Sequence, residues 1–276
     1  MLALSANQRY LIKTIPRVES KQLRRMLPRL LAHLEGKSGT SISCMLALFR
    51  VKWVRLAAPQ ASKVYITISE AAFPAIPGAA PILFDLKGSS VSRTGRRTSG
   101  EAEPADKGED GTLGVLPERT ILKDNDLRQA LCDAPGAQAS LLSWEQDTSS
   151  ICDAIARDAE LLASLRCMDY SLLVAFVPED AAAAQEYQQQ LEPSYYLSTR
   201  VTSGERRYIA YCRIIDILCP WSPKKRLAQV TKIALGKPPD GLSTAPPTAY
   251  KGRFISFVAE RLFSRTQNTT PALRES

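Results

Sequence analysis

A single histidine, His33, occurs in 276 residues, and none of the six cysteines (Cys44, Cys132, Cys152, Cys167, Cys212, Cys219) forms a CxxC pair. A zinc site needs clustered thiolate or imidazole ligands at short spacing, so this composition argues against one, and reduced, mostly buried thiols are the expectation. No apolar run approaches the roughly 18 residues that would cross a bilayer. Met1 to Ser5 is apolar but lacks the basic flank and length of a signal peptide. The expected compartment is the cytosol, with the protein peripheral at a membrane.

What is present is an ordinary globular composition, 45% apolar and 23% charged, with a formal net charge of +8. The length suits one large domain or two packed lobes. A basic surface attracts nucleic acid, anionic lipid or acidic protein, and charge alone does not choose among them. No recognised nucleic-acid motif accompanies the charge, so no nucleic-acid partner is expected.

Arg9 to Ile15 reads as a strand, and a helix follows from Val18 to Leu34. Leu23, Met26, Leu27, Leu30, Leu31 and Leu34 recur at three- and four-residue spacing on one face, and Pro28 should kink or split the helix. Met45–Trp53, Lys63–Ser69, Tyr170–Val177 and Arg206–Leu218 have strand composition, and Ser150 begins a helix that runs to Leu165. Prolines 74, 77 and 81 with Gly78 place a boundary near Phe73. Thr94 to Glu118 is too polar to bury much surface and reads as a flexible insertion, Ala181 to Leu191 as a helix or a mobile insertion, and 264–276 as a disordered tail. The pattern predicts an α+β protein, with residues 1–73 in one lobe, 74–263 in a larger one, and a ligand cleft between them.

Three polar residues sit where apolar neighbours make them costly. Lys13 lies inside the strand LIKTI, Asp169 between a helix and an apolar strand in CMDYSLLVAF, and Asp216 within YIAYCRIIDIL. Each alone is usually a solvated lysine or a paired carboxylate. Together they make the parts of metal-assisted phosphoryl transfer: acidic ligands for hard Mg²⁺ and cations for developing phosphate charge.

Seven segments, in order, resemble the phosphatidylinositol phosphate kinases: LIKTI at 11–15, ALFRVKW at 47–53, FDLKGSSVSR at 84–93, ILKDNDL at 121–127, MDYSLLV at 168–174, IIDIL at 214–218 and YKGRF at 250–254. No HRD, DFG or APE signature of the protein kinases accompanies them. The resemblance implies a two-lobed lipid-kinase fold distantly similar to protein kinases, with an antiparallel sheet in each lobe. It implies ATP and Mg²⁺ as cofactors and a phosphatidylinositol monophosphate in anionic membranes as substrate, the product being the 4,5-bisphosphate. Lys13 resembles the ATP-contacting strand lysine, Asp169 the catalytic-loop aspartate facing the inositol hydroxyl, and Asp216 the metal-binding aspartate. Lys87 looks like the lysine near the transferred phosphate, Arg93 like its basic partner beside the lipid, and Leu173 like the apolar floor under adenine. Asp124 and Asp126 match too, as a structural turn or in a direct role. Residues 217–248 resemble the specificity loop, where Lys224, Lys225 and Arg226 would face headgroups. Twelve residues beyond Asp216 the family carries glutamate in users of the 4-phosphate and alanine in users of the 5-phosphate. Ala228 here points to the 5-phosphate, while the neighbouring alignment lands on Leu227.

The departures bear on activity. The family's Gly/Ser loop should end upstream of the strand lysine, and this sequence has twelve residues before Lys13, MLALSANQRY among them. The hinge Glu70-Ala71-Ala72-Phe73 has no asparagine, and Ala175 and Val177 stand where the family commonly has Gly and His. A catalytically weak homologue that serves as a phosphoinositide-binding scaffold is therefore the alternative reading, and the sequence leaves the oligomeric state open.

Overall fold

The computed structural model describes residues 1–7, 9–35, 39–55, 58–72, 81–95, 121–132, 142–145, 147–179, 197–203 and 206–263. The expected boundary at Phe73, nearly all of the 94–118 insertion, the 181–191 segment and the 264–276 tail lie outside these residues.

Two sheets organise the α+β chain. The first has the order β1-β2-β4-β3 and is antiparallel throughout, from β1 (Leu2–Leu4), β2 (Tyr10–Ile15), β3 (Met45–Arg55) and β4 (Ala58–Glu70). The second has the order β6-β5-β8-β10-β9-β7, from β5 (Ile82–Leu86), β6 (Ile121–Lys123), β7 (Ser143–Trp144), β8 (Ser171–Pro178), β9 (Leu197–Ser203) and β10 (Arg206–Ile215). It is mixed rather than wholly antiparallel, because β6 runs parallel to β5. Strands β3 and β4 extend beyond their apolar cores, since a long hairpin ladder continues through polar positions once its register is set.

Strand β8 explains the apolar run of the MDYSLLV segment. Its even-numbered residues Leu172, Val174 and Phe176 enter the main core, while Leu173, Ala175 and Val177 pack on the other face with Leu83, Ile209 and Tyr211. A strand buried on both faces has no polar side to alternate with. Each fully buried Leu, Val or Phe contributes roughly 1.5–3 kcal/mol.

Helix α1 (Arg17–Glu35) runs unbroken through Pro28. Pro28 is exposed, so the carbonyl that loses its amide partner can turn to water. The buried stripe is narrower than the spacing suggested: Leu23, Met26 and Leu30 are in the core, while Leu27 and Leu31 face solvent. Helix α3 (Ser149–Ser164) starts after Thr148, not at Ser150, and buries Ile151, Ile155, Ala159 and Leu162. His33 is structural. Its Nε2 lies 2.6 Å from Oδ1 of the fully buried Asp158, which also accepts from Ser41 N and Oγ at 2.7 Å and Thr40 Oγ1 at 2.9 Å. The same stretch joins the two sheets, with Ile214 N donating to Ser41 O at 2.6 Å and Ser43 N to Ile214 O at 2.9 Å.

The remaining α-helices are α2 (Asp124–Cys132), α4 (Pro223–Ala234) and α5 (Pro247–Phe257). The YKGRF motif lies in α5 and is architectural. Tyr250 donates its hydroxyl to Tyr170 O, and the Tyr250 and Phe254 rings pack edge-on against Tyr170. Among the described residues no helix is long and apolar enough to cross a membrane.

Candidate active site

Strand register brings the expected residues together. Leu86 of β5 pairs with Leu172 of β8, and Ile215 of β10 pairs with Ser171 of β8. Lys87, Asp169 and Asp216 therefore emerge at one end of three adjacent strands, although they are separated by scores of residues in sequence. Asp169 and Asp216 both hold left-handed backbone, at φ 64° and 60°. Aspartate tolerates that region better than most residues, yet such strain costs on the order of 1–3 kcal/mol each and gathers at functional sites.

Lys87 Nζ donates to Asp169 O at 2.7 Å and to its Oδ1 at 3.0 Å. Lys13, from the first sheet, reaches across to Asp216 Oδ1 at 2.6 Å. That pair is open to solvent, with the side chains 39% and 46% exposed, so its attraction is worth only about 1 kcal/mol or less. A metal ion on Asp216 and a phosphate on Lys13 can replace it at little cost. Both pairs line a cavity of about 620 Å³ that also exposes Leu173, Glu19 and Lys225. The cavity is floored by Leu83, Leu173 and Ile215, an apolar surface beside a ring of charge.

Glu19, in the first turn of α1, was not singled out from the sequence. Burial raises its pKa, against Lys13 and Lys225, which lower it, and with Asp216, which raises it further. A single glutamate at a helix start looks like any favourable first-turn acid. Its place six residues after the strand lysine, across the Pro16 corner, was the available signal.

Arg93 does not extend into the cavity. It is buried, with Nε donating to Asp124 Oδ2 at 2.7 Å and Nη2 to Asp85 Oδ1 at 2.8 Å. Burial alone would lower its pKa, but the two carboxylates more than reverse that. Asp124 is fully buried and pins the loop that carries Lys87. Its Oδ1 accepts from the backbone amides of Lys87 at 2.9 Å, Gly88 at 2.7 Å and Ser89 at 3.3 Å. Gly88 has φ 66°, and a Cβ there would meet Arg253 O and Phe257 Cβ at 3.1 Å, so only glycine fits this turn. Asp126 Oδ2 accepts from Lys123 N at 2.8 Å and from Gly95 N at 2.6 Å.

The 217–248 segment contains helix α4. Ser222 caps it by accepting from Lys225 N. Lys224 and Arg226 are exposed, Ala228 is half-buried, and Lys225 lines the cavity together with Cys219. Burial raises the pKa of the Cys219 thiol despite the Lys225 ammonium. Helix α4 buries none of its residues and leaves Leu227, Val230 and Ile233 in solvent, and Leu235, just past its end, is exposed too.

The donor set fits a magnesium ion only in part by itself. Asp216 and Asp169 offer hard carboxylate oxygens, but among the described residues no group of three or more His, Cys, Asp or Glu is placed to hold a metal. Mg²⁺ is commonly held by one or two carboxylates plus substrate phosphates, so Asp216 alone can suffice when a nucleotide completes the shell.

The sequence pattern of the family described as Phosphatidylinositol-4-phosphate 5-Kinase matches residues 1–203 and 179–261. Over 303 residues the chain is 26% identical to phosphatidylinositol 4-phosphate 5-kinase 6 of Arabidopsis thaliana, covering 92% of this chain and 38% of that protein. Over 223 residues it is 26% identical to human phosphatidylinositol 5-phosphate 4-kinase type-2 beta, covering 65% of this chain and 48% of that one. A phosphatidylinositol 4-phosphate 5-kinase of Plasmodium falciparum is 22% identical over 277 residues, covering 94% of this chain and 15% of its own length. The chain thus spans less than half the length of each of these relatives.

Proposed function

The chain belongs to the phosphatidylinositol-4-phosphate 5-kinase family, and from that premise we propose that it transfers the γ-phosphate of ATP to the inositol ring of a phosphatidylinositol monophosphate, giving the 4,5-bisphosphate at an anionic membrane. The observation that carries this is the convergence of Lys13, Lys87, Asp169 and Asp216 on one cavity. In this reading the first sheet with α1 acts as the smaller lobe of a kinase-like pair and the second sheet as the larger.

Leu173 lies under the adenine, and Lys13 neutralises phosphate oxygens. Asp216 would hold Mg²⁺, which would supply positive charge against the phosphate oxygens. Asp169 accepts a hydrogen bond from the ring hydroxyl and holds it in line, while Lys87, fixed against Asp169, meets the transferred phosphoryl group. Arg93 supports that lysine from beneath, through Asp124 and the backbone of its loop, instead of touching lipid. Lys224, Arg226 and the exposed apolar residues of α4 meet the membrane, the basic groups adding about 1 kcal/mol each at an anionic surface.

A second reading, a phosphoinositide-binding scaffold, is favoured by the Lys13–Asp216 ion pair, in which the phosphate cation and the metal ligand neutralise one another. Incubation with labelled ATP, Mg²⁺ and vesicles carrying either monophosphate separates the two. Label entering the lipid supports the kinase, and its absence with retained vesicle binding supports the scaffold. The same assay with Ala228→Glu tests the 5-phosphate preference. Unchanged preference for the 4-phosphate in both proteins would remove position 228 from the account.

A further inference from the structure

A second cleft, of about 560 Å³, lies behind the catalytic pocket, where Ile15 lines both. Its walls carry Arg17 at the start of α1, Arg50 of β3 and Lys63 of β4, with Thr14 and Tyr65 between them, and no carboxylate. The sheet register adds a fourth cation. Lys52 stands directly opposite Lys63, and Arg50, two residues before it, stands opposite Tyr65. Residues two apart on a strand share a face, so Arg50, Lys52 and Lys63 project together. Directly opposed cross-strand side chains have Cβ atoms about 4.5–5.5 Å apart, and like charges in that position are destabilising. Among the described residues none of the four makes an ion pair. The repulsion is uncompensated within the described chain, and an anion between the side chains would relieve it.

We propose that this cleft binds a phosphate group, carried either by a lipid headgroup or by a soluble phosphorylated ligand, at a site separate from the catalytic pocket. Two or more cations converging on one concavity suit a phosphate dianion, with the Tyr65 hydroxyl as a neutral donor. The stretch Thr14 to Arg17 is also the chain that joins Lys13 to Glu19, so the bound group would sit directly against the segment that carries both into the catalytic cavity.

The test uses the full chain with Lys13→Ala, Lys87→Ala and Lys225→Ala, which removes the lysines that line the catalytic pocket, so that the result does not depend on the kinase reading. Thermal unfolding is followed as inorganic phosphate replaces chloride at constant ionic strength, with and without Arg50→Gln and Lys63→Gln. These exposed positions are replaceable without loss of core. The expected result is stabilisation by phosphate, with an apparent affinity at least about tenfold weaker once the two cations are gone. Co-sedimentation with phosphatidylcholine vesicles, with and without phosphatidylinositol 4-phosphate, then identifies the source. Loss in both arms assigns a lipid headgroup, and loss of phosphate affinity alone assigns a soluble ligand. Phosphate affinity that is absent, or unchanged by the two substitutions, overturns the site whatever the vesicles show.

Discussion

Strand β8 of the second sheet has seven consecutive buried residues, Ser171 to Val177, whereas β2 of the first sheet buries only Ile15. Charged residues of the same cavity nevertheless come from both: Lys13 lies within β2, and Asp169 stands two residues before β8. Lys87, Asp169 and Asp216 project from a sheet end packed on both faces, and Lys87 is fixed further by the Asp124–Arg93–Asp85 cluster. Lys13 comes from a half-buried sheet and is held mainly by one solvent-exposed ion pair. The difference teaches where geometry is fixed before a ligand arrives and where it is left adjustable. The groups assigned to the reacting phosphoryl and hydroxyl stand on the rigid side. The group assigned to the nucleotide phosphates stands on the side that can yield.

The largest effect should come from the rigid side. Asp169→Asn keeps the left-handed turn, which asparagine also tolerates, but removes the charge proposed to face the ring hydroxyl. Turnover should fall by about 100-fold or more with the melting temperature unchanged, as lipid phosphorylation beside a thermal scan would show. A loss below about tenfold would take Asp169 out of the reacting centre.

Stability should divide the same way. Asp124→Ala leaves Arg93 buried with half its partners gone and three amides without an acceptor, a loss of about 3–5 kcal/mol in urea unfolding. Lys13→Ala, on the adjustable side, should cost under about 1 kcal/mol. Equal losses would erase the contrast.

Helix α4 belongs to neither sheet and should report on the surface instead. Changing Lys224 and Arg226 to Ala should cut partition onto anionic vesicles by at least about tenfold and flatten its salt dependence. Co-sedimentation across a salt series measures both.

The smallest effect is predicted for Glu19. Its folded-state pKa is raised, chiefly by burial, so the folded protein holds this proton more tightly than the unfolded chain. Stability should therefore fall as pH rises from the ordinary carboxylate range through the raised value. Glu19→Gln should flatten that part of the stability–pH curve, and a curve that keeps its slope would place the titration elsewhere.

Local patterns in the sequence were a good guide where burial is one-sided or complete. The apolar runs of β8 and β10 and the spacing of α1 and α3 located those elements within a residue or two, apart from the C-terminal end of β10, because periodicity is a local property. The three-residue β1 was missed because LAL carries no pattern, and the parallel pairing of β6 was hidden because sheet order is set by distant contacts. Lys13, Asp169 and Asp216 stood out as charges in apolar surroundings, whereas Lys87 was picked out only by the resemblance of FDLKGS to the family. Arg93 was legible as basic but not as buried, since its partners Asp85 and Asp124 lie on other elements. Asp124 likewise reads as a helix-start acid until the Lys87 turn folds against it.

The most direct test of the account is ATP binding with and without Mg²⁺, by calorimetry, in the wild type and in Asp216→Asn. It needs no turnover, so it applies to an enzyme and a weak homologue alike. The account predicts that Mg²⁺ tightens ATP binding in the wild type and that this gain disappears in the variant, while metal-free ATP binds both about equally. A gain from Mg²⁺ that survives the substitution, or ATP that binds neither protein, would contradict the assignment of this cavity as a metal–nucleotide site.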